Sequence, residues 1–345
     1  MAAIRHITLA DVAARSGVST ATVSRVLSGA PAARPETRDR VLSAVRELDY
    51  RPSAVARALK RQTTRTIGLL VTDIENPFYP HVVRAVEDAA HARGYAVLLC
   101  NAADDPGREL AYLEILLERR VDGIVVASSR ATRRHAALLA RAPIPVVLVN
   151  SDARGSHLPA IDTANRRGSR LATRHVLDLG HRVIGHITAS PANAAAGVRL
   201  AGVRDALRAA ALDARNLRVV VGDGHVDGGE RAALELLRQR GLTAIVCYND
   251  LTAIGTLRAA RSLGRDVPGD VSVVGFDDID LAAWTDPPLT TVRQQVAEMG
   301  RWAVERVARE LGGGNGSGRP RVVHLAPELV IRGSTAPAPG EPVVE

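Results

Sequence analysis

The sequence has little cysteine, few aromatic residues and no long apolar run. Its two cysteines, Cys100 and Cys247, both end apolar runs, which indicates buried free thiols in a reducing cytoplasm; they are too few for a zinc ribbon. Apolar runs such as GIVVA and VVLV are far shorter than the roughly 20 residues that span a membrane. The N-terminus lacks a basic segment followed by an apolar core, so no signal peptide is predicted. These absences favour a cytoplasmic protein.

Arginine is abundant, and its distribution along the chain is uneven. Residues 1–61 carry 11 Lys and Arg against 5 Asp and Glu, whereas the other 284 residues carry 34 against 32. Most of the net charge of +8 therefore lies in under a fifth of the chain. A basic head on a nearly neutral remainder favours a polyanionic partner for the head, whereas a general preference for arginine predicts no such asymmetry.

The first fifty residues are typical of three short helices. Thr8, with an acid three residues later, predicts a helix start, and Gly17 predicts a turn. Ser19 caps a second helix that runs to Ser28, and Pro35 begins a third. The apolar positions that would close a small shared core are Leu9, Val12, Ala13, Val18, Val23 and Val26, with Val41, Val45 and Leu48 from the third helix.

This arrangement predicts a helix-turn-helix whose second helix lies in the major groove of DNA. Its hydroxyl cluster of Ser19, Thr22 and Ser24 can donate hydrogen bonds to phosphates. Arg25 carries the bidentate fork that recognises guanine. On the helix pattern alone, a three-helix bundle with solvated hydroxyls is the alternative.

A short apolar and basic segment follows the head. Ser53 can cap a helix over residues 54–59, which is too short to be stable without a partner. Leu59 next to Lys60 suits a wedge in the minor groove of DNA, flanked by cations that bind phosphates.

From Thr66 onward, short β-branched runs alternate with amphipathic segments, which predicts parallel sheets covered by helices. Strands are expected near 66–72, 95–100, 122–127, 145–149, 182–188, 217–221, 244–248 and 271–276. Helices are expected near 78–93, 108–119, 164–179, 197–211, 228–240 and 251–263. A second cycle begins near Asp162, which implies two similar lobes. The run GGGNGSG is interpreted as a flexible connection, and the proline-rich tail as disordered and without the heptads of a coiled coil.

Ligand sites in such sheets lie at the carboxyl ends of the strands. Polar residues there, with one or two aromatic rings, suit a hydroxylated small molecule. The candidates are Asp73, Asn76, Phe78, Tyr79, Arg199 in the first turn of a helix, Asn249 and Asp277. Asn249 or Asp277 could instead simply cap the next segment, and Asp250 is expected to cap the helix after it. Neighbouring acids in FDDID are expected to diverge, so no metal site is predicted.

Several stretches together resemble the LacI/GalR family of transcriptional repressors. They include TLADVAARSGVSTATVSRVLSG, TRDRVLSAVRELDYRPSAVARALK, TIGLLVTDIENPFY, CYNDLTAIG, DVSVVGFDD and PPLTTVRQ, and the resemblance covers residues from about 7 to 332. It implies a helix-turn-helix head at 1–51, a hinge helix and linker at 52–65, an effector-binding and dimerisation body at 66–332 and a tail at 333–345. The body would have a periplasmic-binding-protein-like fold, with lobe one at about 66–161 and 291–324 and lobe two at about 162–290 and 325–332.

The resemblance also implies roles for individual residues. Base-reading positions would be Thr20, Ala21 and Arg25, and phosphate contacts would come from Thr8, Ser19, Thr22, Ser24, Ser28 and Thr37. Minor-groove contacts would come from Ala56, Leu59 and Lys60. Arg199, Asn249 and Asp277 would contact the effector. The chain departs from the family at Gly224, where an aromatic residue often stacks on the ligand; the neighbouring His225 is a possible compensation.

The sequence therefore predicts a cytoplasmic regulator that acts as a two-fold dimer on a near-palindromic operator. Its effector would be a carbohydrate or a nucleoside-like metabolite, and both induction and co-repression stay open. No cofactor is expected. A transport receptor would share the body but would need a signal peptide and would have no use for the basic head. An enzyme is not predicted, since no nucleophile–base pair or metal-ligand set occurs.

Overall fold

The structure is a computed structural model that describes residues 7–28, 34–51, 63–127, 137–139, 141–151, 158–313 and 322–340. The chain divides into two units, Met1–Thr64 and Arg65–Glu345, which are called the head and the body below. None of the helices in the described ranges is both long enough and apolar enough to cross a membrane.

The helices of the head begin where the sequence predicts, and the second ends at Leu27, one residue before the expected Ser28. They are α1 (Leu9–Ser16), α2 (Thr20–Leu27) and α3 (Pro35–Glu47). Thr8 Oγ1 accepts a hydrogen bond from Asp11 N, and the Asp11 carboxylate accepts one from Thr8 N, which completes a capping box. Gly17 ends α1 at φ 67°, a left-handed conformation that glycine adopts readily. Ser19 caps α2 by accepting a hydrogen bond from Thr22 N.

The core of the head joins all three helices. Its buried members are Val12, Ala13, Val23, Val26, Val41 and Ala44, and the partly buried residues around them include Leu9, Val18, Val45 and Leu48. All nine apolar residues that the sequence predicts for this core are present, so that prediction is confirmed. The Arg15 guanidinium also forms an ion pair of 2.5 Å with Glu47, which ties α1 to the end of α3.

The body alternates strands and helices, as predicted. The strands are β1 (Thr66–Val71), β2 (Ala96–Asn101), β3 (Gly123–Ala127), β4 (Val146–Val149), β5 (Ala160–Thr163), β6 (Ile184–Thr188), β7 (Leu217–Val221), β8 (Ala244–Cys247), β9 (Ser272–Val274), β10 (Thr291–Arg293), β11 (Val322–Leu325) and β12 (Glu328–Val330). The helices are α4 (Phe78–His91), α5 (Pro106–Glu118), α6 (Asn165–Asp178), α7 (Ala194–Ala209), α8 (Val226–Leu237), α9 (Asp250–Ser262) and α10 (Val296–Leu311).

Two parallel sheets define the two lobes. Lobe one contains a six-stranded sheet in the order β11-β5-β4-β3-β1-β2, and lobe two contains a four-stranded sheet in the order β7-β6-β8-β9. The short strands β10 and β12 pair antiparallel and join lobe two, where α6 packs on both. Most strands are buried on both faces, because helices cover both sides of each sheet. The predicted two-lobed architecture is confirmed.

The chain passes between the lobes after β5, after β10 and after β11. Residues up to Thr163 still pair in the sheet of lobe one, and residues up to Arg293 still pair with β12 in lobe two. The crossings therefore lie a few residues after the expected positions near 162, 290 and 325, because the strand pairing continues past them.

The tail is a correction to the sequence analysis. Residues 333–340 are packed on lobe two instead of disordered, and Ser334 is fully buried. Val273 N donates to Ser334 O, and Ala338 N donates to Leu179 O. These backbone bonds hold a proline-rich segment that has no helical or strand pattern of its own. Cys100 and Cys247 are buried free thiols, as predicted.

Candidate functional site

The first candidate site is the outer face of α2 in the head. Thr20, Ala21 and Arg25 are exposed, and Ala21 and Arg25 lie one helical turn apart on the same face. The Val23 and Val26 side chains of the same helix are buried, so the hydrophobic face of α2 points into the head and leaves the other face accessible.

Several of the predicted phosphate contacts also have local structural roles. Thr8 and Ser19 cap α1 and α2, and the Ser28 hydroxyl donates to Arg25 O at 3.0 Å. Thr22 Oγ1 lies 3.0 Å from the Ser19 hydroxyl. The other predicted contacts, Ser24 and Thr37, are partly buried on α2 and α3. The predicted minor-groove residues Ala56, Leu59 and Lys60 lie outside the described residues.

The second candidate site is a cavity between the two lobes, called the effector cavity below. It is lined by all seven predicted effector residues, namely Asp73, Asn76, Phe78, Tyr79, Arg199, Asn249 and Asp277. The other lining residues are Thr72, Asp104, Asn150, Asn193, Ala195, Asp223, Gly224, His225 and Tyr248. The free volume is about 50 Å³, which is room for a few water molecules and not for a sugar.

Arg199 is a buried cation in the wall of this cavity. It lies in the second turn of α7 and not in the first as predicted, because α7 begins at Ala194. The side chain is 3% exposed, its Nε donates to Asn165 Oδ1 at 2.8 Å, and its Nη1 donates to Tyr248 O at 2.6 Å. The guanidinium lies 3.7 Å from the ring centroid of Phe276. These contacts hold the cation in one position.

Asp277 connects Arg199 to the lobe crossings. Its Oδ1 lies 3.5 Å from Arg199 Nη2 and accepts a hydrogen bond of 2.6 Å from Gln294 Nε2. Gln294 Oε1 in turn accepts a 2.5 Å bond from the Thr163 hydroxyl. Thr163 and Gln294 are the residues where the chain leaves β5 and β10 for the opposite lobe. Asp277 is thus one hydrogen bond away from the crossing at Gln294 and two away from the crossing at Thr163.

Asp250 has a different role from the predicted cap. Asn249 caps α9, since its Oδ1 accepts from Thr252 N at 2.9 Å, whereas Asp250 is fully buried in the first turn. The Asp250 carboxylate accepts hydrogen bonds from Ile279 N and from the Thr291 hydroxyl, and so joins α9 to the loop after β9 and to β10. Burial raises the pKa of Asp250, and the nearby charge of Asp277 raises it further.

Asn249 combines the capping role with a place in the cavity wall. Its Nδ2 donates to Gly224 O at 2.9 Å, so the capping alternative and the effector prediction apply to the same side chain. Gly224 has a φ of 90°, and a Cβ placed there would come within 3.7 Å of the Tyr248 ring. Tyr248 thus lines the wall beside the position where the family often has an aromatic residue.

Two histidine–aspartate pairs connect the lobes beside this cavity. His81 Nε2 of lobe one lies 3.3 Å from Asp280 Oδ2 of lobe two. His225 Nε2 of lobe two lies 3.5 Å from Asp104 Oδ2 of lobe one. His225, noted only as a possible compensation for Gly224, therefore bridges the cleft. Together with the small free volume, these contacts describe a closed cleft.

Four residues that line the effector cavity were not predicted from the sequence, although their positions after strands could have indicated them. Asn150 and Tyr248 directly follow β4 and β8, where the strand-end argument applies equally. Asp104 and Asp223 lie in loops after β2 and β7. With them the effector cavity holds four carboxylates against the single guanidinium of Arg199. The arrangement can bind hydroxyl groups through carboxylates and amides while aromatic rings contact apolar faces.

Comparison with known proteins supports the same division of the chain. Residues 8–53 match the bacterial regulatory proteins of the lacI family, and residues 173–335 match a periplasmic binding protein-like domain. The chain is 36% identical over 329 residues to the HTH-type transcriptional repressor PurR of Photobacterium profundum, with 95% of this chain and 98% of that protein covered.

Two solved structures are similar over nearly the whole chain. One is the complex of the transcriptional regulator CelR with cellobiose, at 31% identity and a TM-score of 0.72, covering 95% of this chain and 99% of that one. The other is the lac repressor dimer bound to operator and the anti-inducer ONPF, at 27% identity and a TM-score of 0.87, covering 96% and 100%. The chain therefore belongs to the lacI family of bacterial regulatory proteins and is a DNA-binding transcriptional regulator controlled by a small-molecule effector.

Proposed function

We propose that the protein is a repressor that binds a near-palindromic operator as a homodimer and responds to a neutral, hydroxylated small molecule in the effector cavity. The single observation that carries the proposal is the convergence of all seven predicted effector residues on one cavity between the lobes. The protein acts by binding and not by catalysis, at the chromosome in the cytoplasm.

The head reads the operator through α2. Arg25 recognises guanine, while Thr20 and Ala21 have little capacity for hydrogen bonding and contact thymine methyl groups. The phosphate contacts come from Thr8, Ser19, Thr22, Ser24, Ser28 and Thr37. The hinge residues Ala56, Leu59 and Lys60 enter the minor groove and bend the duplex.

The charge of the effector cavity sets the class of ligand. Four carboxylates surround one guanidinium that is already engaged with Asp277, so an anionic ligand would meet repulsion. The aromatic rings of Phe78, Tyr79 and Tyr248 offer apolar surface. A neutral carbohydrate satisfies both features, and the relative CelR is seen with cellobiose. A neutral nucleoside is the second candidate, because the same amides and rings would accept it.

The lobes must separate before such a ligand enters, because the free volume is about 50 Å³ in this structure. Ligand binding then changes the balance between open and closed lobes, and the Asp277–Gln294–Thr163 chain of hydrogen bonds transmits the change to the crossings. The coupling to DNA affinity should be about 1–3 kcal/mol, as in typical allosteric proteins. Its sign depends on which lobe state the ligand prefers, so induction and co-repression are both open.

The body has apolar surfaces that suit a homodimer. On lobe one, Leu98 and Leu99 of the edge strand β2 and Ile115 of α5 are about 40% exposed. On lobe two, Leu281 and Trp284 are 50% and 84% exposed. Apolar patches on a protein surface mark interaction sites, and the lac repressor neighbour is a dimer, so these side chains are the candidate dimer interface. Trp284→Glu should weaken dimerisation in sedimentation experiments, whereas an unchanged dimer would remove Trp284 from the interface.

The test of the proposed function begins with a selection of duplexes from a random pool by the full chain. Sugars and nucleosides that raise the melting temperature of the protein are then added to its complex with the labelled selected duplex. Fluorescence anisotropy of the duplex measures how each compound changes the affinity of the protein for DNA. Asp277→Asn should abolish the response to the active compound, and Asp178→Asn on the surface of α6 should keep it. A selection without any preferred sequence would refute DNA recognition. A normal response of Asp277→Asn would refute the effector site.

A further inference from the structure

A second, larger cavity lies beside the effector cavity, at the β11 side of the lobe-one sheet. It has a volume of about 800 Å³ and is lined on one side by residues at the ends of β4 and β5 and by Val322 and His324 of the edge strand β11, and on the other side by α6 and α7. We call it the arginine cavity. Asn150 and Ala195 line both this cavity and the effector cavity, so the two adjoin.

The two cavities differ in charge. The arginine cavity holds the guanidinium groups of Arg166, Arg167 and Arg170, all from α6, against the carboxylates of Asp162 and Asp205. Arg166 is neutralised by Asp205, which accepts hydrogen bonds of 2.5 and 2.9 Å from its Nε and Nη2. Arg167 and Arg170 are exposed, lie one turn apart, and form no ion pair with any residue in the described part of the chain.

The wall of the cavity is otherwise apolar and contains a buried hydroxyl without a partner. Ala194, Ala195, Val198 and Val322 contribute the apolar surface. Ser151 is 4% exposed, and its Oγ forms no hydrogen bond with any of the residues that the structure describes. An unpaired buried hydroxyl is costly, and a ligand that hydrogen-bonds to it would remove that cost.

From these features we propose that the arginine cavity is a second ligand site, separate from the effector cavity, for a small phosphate monoester with an apolar ring or chain. Arg167 and Arg170 bind the phosphate oxygens through charge-assisted hydrogen bonds. The alanine and valine surface contacts the apolar part, and Ser151 donates to an oxygen atom of the ligand. Because the site lies between α6 of lobe two and β5 and β11 of lobe one, a bound ligand contacts both lobes.

Isothermal titration of the full chain with phenyl phosphate tests the proposal, with inorganic phosphate and phenol titrated separately as the two halves of the probe. We expect one saturable site for phenyl phosphate that is at least about tenfold tighter than for either half, because both kinds of contact contribute. Arg167→Ala/Arg170→Ala should weaken binding by about tenfold or more, since each charge-assisted hydrogen bond is strong. Arg174→Ala, on the same helix but outside the cavity, should not change it.

Val198→Trp keeps the arginines but fills the space beside the apolar wall with a larger side chain, so it should also abolish binding of phenyl phosphate. Thermal unfolding of each variant shows whether it is folded. Absence of saturable binding by the native protein up to about 10 mM, which corresponds to an affinity weaker than about −3 kcal/mol, would overturn the proposal. Equal losses in Arg174→Ala and in the double variant would also overturn it, because they would show non-specific attraction to a basic helix.

Discussion

Replacing Arg199 by methionine should test whether the buried ion pair with Asp277 stabilises the body. The two charged atoms are 3.5 Å apart, and both side chains are less than a tenth exposed. At that separation the Coulomb energy is about 5 kcal/mol for an effective dielectric constant of about 20. Removal of one partner leaves an uncompensated buried carboxylate, so Arg199→Met should lower the free energy of unfolding by about 3–5 kcal/mol.

A double-mutant cycle separates the pair from the rest of the network. Asp277→Asn removes the charge that Arg199 compensates, so the double variant should be more stable than the sum of the two single losses by about 1–3 kcal/mol. Urea unfolding followed by tryptophan fluorescence is the assay, because both tryptophans, Trp284 and Trp302, belong to the body. Losses that add to within about 0.5 kcal/mol would refute the reasoning and assign the role of Arg199 to its other contacts.

Three further predictions concern the head, the packing and pH. Arg25→Ala should cost about 1–3 kcal/mol of specific DNA affinity and relax one base preference; an unchanged preference in a binding-site selection would remove it from base reading. Gly255→Ala should lower the free energy of unfolding in urea by about 1–3 kcal/mol or more, as in other overpacked cores, because a Cβ would lie 2.1 Å from Val226 O. Gly197→Ala, on a helix with open space around it, is the control and should stabilise by up to about 1 kcal/mol. Burial lowers the pKa of His186 to about 4 from its ordinary 6.5, so its neutral form contributes stability that is lost as the pH falls from 6.5 towards 4. The free energy of unfolding should therefore fall by up to about 3 kcal/mol more in the native protein than in His186→Gln over that range, and parallel curves would contradict this.

Much of the fold could be predicted because its signals are local. Capping residues, Pro35 and apolar periodicity determine where α1, α2 and α3 begin. The apolar runs identify the strands from β1 to β9, with the exception of β5, and these include the partly exposed edge strands β2 and β7. The strands that were missed, β5, β10, β11 and β12, have three or four residues and no alternating pattern. Their strand geometry comes from pairing with distant segments, as when β11 pairs with β5.

The candidate site, like the fold, could be predicted from the sequence only in part. The strand-end argument and the family resemblance identified seven residues of the effector cavity, but only the fold brings Asp73 and Asp277 to one space. The roles of Asn249 and Asp250 depended on the start of α9, which differs from the expected position by one residue. The packing of residues 333–340 depends on hydrogen bonds with backbone groups of lobe two, which no local sequence pattern predicts.

The sequence alone therefore determined the basic helix-turn-helix head, the two-lobed α/β body and the family, because each follows from patterns within a few tens of residues. The tertiary structure decided the closed effector cavity with its four carboxylates, the two histidine–aspartate bridges between the lobes and the separate arginine cavity. Burial, electrostatic repulsion and hydrogen bonding at these places depend on which distant residues share a space, and that is settled only when the chain is folded.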